Sequence, residues 1–195
     1  MQKEVLLFLT DHWADWEVCH ATVGIGFSKD YDLKTIALDK SPKVSIGGLR
    51  TEIDYALNDY QSFDNLAMII LAGGFSWGEN RFDEIANFIK KARAGNTPIA
   101  AICGATLFLA KQGFLNDVKH TGDTKEYFDE ILADENTYTG QKHFTEAQVV
   151  NDGGFITANE TAALEFAREI FLVLKTDVEE GINGWYEYHK KGMAQ

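Results

Sequence analysis

Cys103 has the setting of a reactive thiol. The local sequence Ala100-Ala101-Ile102-Cys103-Gly104-Ala105-Thr106 ends an apolar strand-like run and starts a helix at once. Small residues flank the cysteine at −2 (Ala101) and +2 (Ala105), as a nucleophile elbow requires, because so tight a turn admits only small neighbours and pushes the side chain outward. Gly104 removes a Cβ where the backbone must bend hard. A thiol at a helix N-terminus meets free N–H groups and the positive end of the macrodipole, which favour thiolate, so a lowered pKa is expected for Cys103. The competing reading is an ordinary small buried residue.

The elements that would hold this turn read as alternating strands and helices. Val5–Leu9, Leu66–Leu71 and Pro98–Ile102 are continuous apolar runs, the pattern of strands buried on both faces. Leu33–Leu38 is a further strand, with a shorter one at Val44–Ile46. Helices are expected at Trp16–Phe27, Arg81–Arg93, Gly104–Gln112, Thr161–Lys175 and Glu179–Lys191. Segments near Val118–Thr121, Thr137–Gln141 and Phe144–Val150 look strand-like, Asn151-Asp152-Gly153-Gly154 is a turn, and Phe155–Thr157 a last strand. Buried strands alternating with helices imply an α/β fold, a doubly wound, mostly parallel sheet flanked by helices. Sites in such sheets form at the carboxyl ends of the strands, which selects three loops: Thr10–Glu17, Gly73–Asn80 and the turn at Cys103.

These pieces, in this order, resemble the ThiJ/PfpI superfamily, with its flavodoxin-like, class I glutamine-amidotransferase-like three-layer sandwich. The resemblance rests on Val5–Leu9 with the loop to Glu17, Ile69-Ile70-Leu71-Ala72-Gly73-Gly74, Pro98–Gly104, Asp152-Gly153-Gly154-Phe155-Ile156-Thr157, and the helix containing Glu165-Phe166-Ala167. It covers nearly the whole chain and implies one domain over residues 1–195. It also implies that Glu17 approaches the Cys103 thiol. Two adjacent anions would raise each other's pKa, whereas a protonated Glu17 donates a hydrogen bond to thiolate. A raised Glu17 pKa is therefore expected, the two groups titrating as a coupled pair. The loop at Gly73-Gly74 would place its amides, with that of Gly104, around an oxyanion.

Many members of the superfamily carry a histidine in a strand after the elbow helix. His120 falls one or two positions early for it. A one-residue slip turns the side chain to the other face, and a two-residue slip shifts it by roughly 7 Å. His120 is thus one candidate for a Cys–His pair, and His12, in the loop overhanging the pocket beside Trp13, is the other. Cys19, two residues past Glu17, points elsewhere and reads as core. His12, Glu17, Cys19 and His20 lack zinc spacing, so no metal and no cofactor are expected. Gly24 and Gly26 within a helix suggest a close helix–helix approach. Dimers are common in the superfamily, so a homodimer contact there is one expectation and packing within the subunit the other.

Composition narrows the partners. The 195 residues carry a formal net charge of −12, which repels phosphate backbones and argues against nucleic acid. No apolar run reaches the roughly 18–20 residues of a membrane span. Two cysteines far apart and no signal-peptide pattern point to the cytoplasm, with reduced thiols. Two functions fit. One is a cysteine enzyme acting on a small-molecule substrate by amide hydrolysis or glyoxalase-type chemistry. The other is a stress or redox protein whose Cys103 is oxidised.

Overall fold

The computed structural model describes residues 2–78 and 82–193. Chain order is β1 (Lys3–Phe8), α1 (Asp15–Phe27), β2 (Tyr31–Ala37), the short β3 (Lys43–Val44), β4 (Arg50–Thr51) and β5 (Tyr55–Ala56), then β6 (Leu66–Leu71), α2 (Phe82–Ala94) and β7 (Ile99–Ile102). There follow α3 (Gly104–Lys111), α4 (Lys125–Ile131), β8 (Val149–Asp152), β9 (Phe155–Ala158), α5 (Ala163–Leu174) and α6 (Glu179–Lys191). Parts of two expected elements, Arg81 of the second helix and residues 79–80 of the Gly73–Asn80 loop, lie outside the described residues.

Seven strands form one sheet in the order β5-β2-β1-β6-β7-β9-β8, and only the β8–β9 pair is antiparallel. Period-two alternation sends Leu6, Phe8, Ile69 and Leu71 to one face, against α2 and α3. Val5, Leu7, Met68 and Ile70 go to the other, against α1 and α5. Because β1, β6 and β7 are central and parallel, their carboxyl ends open on one edge, and the loops to α1, α2 and α3 leave from it.

The chain between α3 and β8 departs from expectation. Three strand-like stretches were read there. Of these only the isolated bridge between His120 and Phe144 and Val149–Val150, the start of β8, are extended, and α4 has no counterpart in the sequence reading. Apolar side chains override local propensity: Phe128, Leu132 and Tyr138 are buried and Phe144 packs on them, which closes this segment over the α3 face. The start of α4 does carry a local signal, since Thr124 Oγ1 accepts the Tyr127 N–H at 3.2 Å as an N-cap.

Gly24 serves packing within the subunit. A Cβ there would lie 2.1 Å from Phe171 Cζ on α5, whereas a Cβ on Gly26 would meet nothing within 4 Å. The glycine pair therefore gives no argument for a dimer contact. Gly24→Ala is expected to destabilise by about 1–3 kcal/mol through overpacking, and Gly26→Ala to be neutral or slightly stabilising. Urea unfolding of the two variants beside the wild type checks the opposite signs. Cys19, read as core, is exposed on the outer side of α1, its thiol donating to Trp16 O at 3.2 Å.

Candidate active site

β7 carries Cys103 to the sheet edge. Ala100, Ala101 and Ile102 are fully buried between strands β6 and β9, and Cys103 N–H donates to Ala158 O at the end of β9 at 3.0 Å. The cysteine itself adopts φ 54°, ψ −130°, a conformation L-residues rarely hold and one that costs roughly 1–3 kcal/mol when imposed. The first turn of α3 fixes it, with Thr106 N–H and Oγ1 both donating to Cys103 O at 2.9 and 2.6 Å. The thiol is partly exposed.

Two glycines let the neighbouring loops close on this turn. A Cβ on Gly73 would sit 2.1 Å from Glu17 Oε2 and 2.8 Å from Cys103 Cβ, so Gly73 lies between carboxyl and thiol. A Cβ on Gly104 would sit 2.8 Å from Gly74 O. The loop before α1 clamps the Gly73-Gly74 turn through its backbone: Ala14 N–H donates to Gly73 O at 3.0 Å and Phe75 N–H to His12 O at 3.3 Å, on either side of a Trp13–Gly74 bridge. His12 holds φ 55° to make that turn. Its side chain is exposed, while the Trp13 ring is buried in the apolar cluster that Cys103 abuts. The role visible for both residues is thus in shaping the loop.

Glu17 is completely buried. It stands on the inward stripe of α1 with Val18, Ala21 and Ile25. Neither carboxyl oxygen makes a well-aligned hydrogen bond. Burial raises its pKa to about 8, with the Asp123 and Glu160 charges adding, while the Cys103 thiol and the Gly73 N–H lie close enough to pull it back. At neutral pH Glu17 is therefore mostly a carboxylic acid. The Gly73 amide serves this carboxyl. Gly104 N–H faces the sulfur, and the Gly74 N–H takes no part in the bridge hydrogen bonds. Of the three amides expected around an oxyanion, that of Gly73 is turned to Glu17 and that of Gly104 to the sulfur.

The expected low thiol pKa is corrected. Burial pushes the Cys103 thiol above its ordinary value, Glu17 and Asp123 push the same way, and the opposing Gly104 N–H is outweighed. A short helix's dipole cannot offset desolvation plus carboxylates. Glu17 and Cys103 act as one coupled pair that resists carrying two charges.

His120 offers the thiol no free nitrogen, which corrects the reading of it as the catalytic base. Its imidazole is fully buried, Nδ1 lying 2.8 Å from Val118 O and Nε2 2.8 Å from Tyr138 Oη, among Phe128 and Phe144. Its pKa is lowered, chiefly by burial. His120→Phe should cost stability through the stranded Tyr138 hydroxyl, by about 1–3 kcal/mol. It should leave the alkylation rate of Cys103 unchanged within about twofold, which iodoacetamide kinetics would test.

Two acids take the place beside the sulfur. One ligand-type atom each from Cys103, Asp123 and Glu160 lie within 4.8 Å of one another. Thr121 N–H donates to Thr157 Oγ1 on β9 at 2.9 Å, which brings the following Gly122-Asp123 to the sheet edge. Asp123 Oδ1 then accepts the Glu160 N–H at 3.0 Å, tying together the two loops that flank the thiol. Burial and the Glu160 charge raise the Asp123 pKa. Neither residue was singled out from the sequence. Both lie in loops without periodicity, and the β7–β9 pairing brings them in.

A doubly wound sheet with a strained cysteine at the end of a central strand and a buried glutamate against it defines the class of elbow-cysteine α/β proteins. The chain belongs to the DJ-1/PfpI family, which matches residues 3–172. It is 36% identical over 192 residues to "Uncharacterized protease YdeA" of Bacillus subtilis (strain 168), covering 98% of this chain and 93% of that protein. It is 31% identical over 195 residues to "Uncharacterized protease YoaZ" of the same organism, covering 96% and 91%. A crystal structure of a thiJ/pfpI family protein from Bacillus anthracis superposes with a TM-score of 0.87 at 30% identity, over 99% of this chain and 92% of that one. A DJ-1 superfamily protein from Agrobacterium tumefaciens superposes at 0.86 and 25% identity, over 99% and 100%. Among the described residues no helix is long and apolar enough to cross a membrane.

Proposed function

We propose that this DJ-1/PfpI protein is a cysteine-dependent enzyme acting on small amides or reactive aldehydes, with Cys103 as nucleophile and Glu17 as its proton acceptor and donor. One observation carries the reading: a buried carboxyl, with its pKa raised to about 8, pressed against the elbow thiol. That value suits a group that must both take and return a proton near neutral pH. The resting pair holds a neutral thiol. In the reactive state Glu17 is a carboxylate and takes the S–H proton as sulfur adds to the carbonyl carbon. The C=O electron pair moves to oxygen, held by the Gly74 and Gly104 amides. For an amide, collapse of this adduct breaks the C–N bond, and the amine leaves with the proton from Glu17. Water, deprotonated by Glu17, then adds to the thioester carbonyl; the C–S bond breaks, the carboxylic acid leaves, and the sulfur regains the proton from Glu17. For an aldehyde the same first step gives a hemithioacetal.

The neutral resting thiol weighs against the oxidation-sensor reading, because thiolate is the species that oxidises readily. A homodimer, as the family resemblance suggested, would now use the outward face of α1, where Trp16, Val23 and Phe27 are exposed. The functional reading is tested with a panel of small amides and 2-oxoaldehydes. We expect turnover on at least one, lowered by Cys103→Ser on the order of 1000-fold or more. No turnover across the panel, or turnover untouched by the substitution, contradicts it.

A further inference from the structure

We propose that the cavity at the carboxyl ends of β1 and β2 binds one small α-amino acid with a compact aliphatic side chain, at a site separate from the thiol. The cavity holds about 170 Å³ and is lined by residues that follow those two strands, by Trp77 after β6 and by Ile85 of α2. That volume is close to the roughly 150 Å³ of a cavity that takes up benzene, and it is too small for a peptide or a nucleotide. The strand order puts it at a switch point: β1 leads into α1 on one face of the sheet, and the neighbouring β6 into α2 on the other. Crevices of doubly wound sheets open where such crossovers part. Cys103 lies outside the cavity lining. The Trp77 ring stands between the two, since it lines the cavity and a Cβ on Gly104 would lie 3.3 Å from its Cδ1.

Charge selects the ligand. Lys43 is buried in the cavity wall, its ammonium donating to Asp39 Oδ1 at 3.1 Å. Asp11 Oδ2 is 3.8 Å from the same nitrogen, beyond hydrogen-bond reach. Both acids stay more than half open to solvent, so they form the mouth of the cavity and Lys43 its inner polar wall. An ammonium carries three donors. Among the described residues two of those on Lys43 meet no acceptor, and the Asp11 carboxylate meets no donor. An α-carboxylate on Lys43 and an α-ammonium on Asp11 satisfy both at once, through charge-assisted hydrogen bonds. Leu38, Trp77 and Ile85 give the apolar wall for the side chain. A plain carboxylic acid would bring a negative charge to Asp11 with nothing to offset it. A plain amine would leave the buried Lys43 donors unfilled.

The test is calorimetric titration of the full chain with three compounds: L-leucine, isocaproate, which is leucine without the amine, and isoamylamine, which is leucine without the carboxylate. Leucine should bind saturably at one equivalent per chain. Each truncated compound should bind roughly tenfold more weakly or worse, the worth of one charge-assisted hydrogen bond. The variants should cross over. Asp11→Asn, at an exposed side chain and with an unchanged circular dichroism spectrum, should lose roughly tenfold or more in leucine affinity while isocaproate binds no worse. Lys43→Met keeps the apolar stem and should weaken leucine by a similar factor while isoamylamine is spared. Cys103→Ser should bind leucine as the wild type does, so the result is independent of turnover at the thiol. No saturable leucine binding up to tens of millimolar overturns the proposal. So does equal affinity for leucine and either truncated compound, or a leucine affinity unmoved by Asp11→Asn.

Discussion

Glu17→Gln is expected to make the protein more stable relative to wild type as pH rises, by on the order of 3–5 kcal/mol between acid and mildly alkaline conditions. The carboxyl has an ordinary value of 4.5 and a folded value of about 8. Between these values the folded chain holds a proton the unfolded chain has lost, so the unfolded state binds fewer protons and stability falls with rising pH. The contribution of the protonated carboxyl is whole below 4.5 and gone above about 8. A glutamine has no proton to lose and shows no such slope. Because Glu17 is inaccessible to solvent, screening does not dilute the effect. Urea unfolding of both proteins at about pH 5 and about pH 9 reads it directly. A constant gap between the two proteins would mean that Glu17 ionises as easily in the fold as in water.

The same substitution should cripple turnover, with kcat/KM falling by about 100- to 10,000-fold, the span expected when a positioned acid–base group is lost. Glutamine fills nearly the same space but cannot take the thiol proton, so kcat should carry the loss. The wild-type rate should climb with pH through about 8 as Glu17 becomes carboxylate, and Glu17→Gln should lack that limb. A merely structural Glu17 would leave the shape of the profile intact. Gain in stability with loss of activity at one position is the mark of a strained functional group. Cys103, held at φ 54°, is a second such group.

The strands that matter most were legible. Val5–Phe8 of β1 and the whole of β6 and β7 are apolar on consecutive residues because helices cover both faces of a parallel sheet, and small residues at 101 and 105 marked the elbow. Glu17 also had a signal of its own: with Ala21 and Ile25 it repeats at intervals of four, the stripe α1 buries. Cys19, two positions off that stripe, reads as core only if its apolar type outweighs its place on the helix; its exposure shows that position decides. The rest depends on contacts distant in sequence. Asp123 and Glu160 meet only because β9 pairs with β7, Ala101 opposite Thr157 and Ile102 opposite Ala158. His120 lies three residues from Asp123, yet its ring turns into the aromatic cluster under the loop. The charge state of Cys103 was misread because a helix terminus is visible in sequence, whereas the desolvation and acids that outweigh it are not. The two-residue strands β3, β4 and β5 carry too few side chains for any period to show.

The most direct test of the coupled, uncharged resting pair is the rate of iodoacetamide alkylation of Cys103 against pH, in the Cys19→Ser background. Reaction should be slower at neutral pH than that of an unperturbed thiol, whose midpoint is about 8.5, and should still be climbing beyond it. A plateau reached below about pH 7 would reveal a preformed thiolate and contradict the account of Glu17 and Cys103 given above.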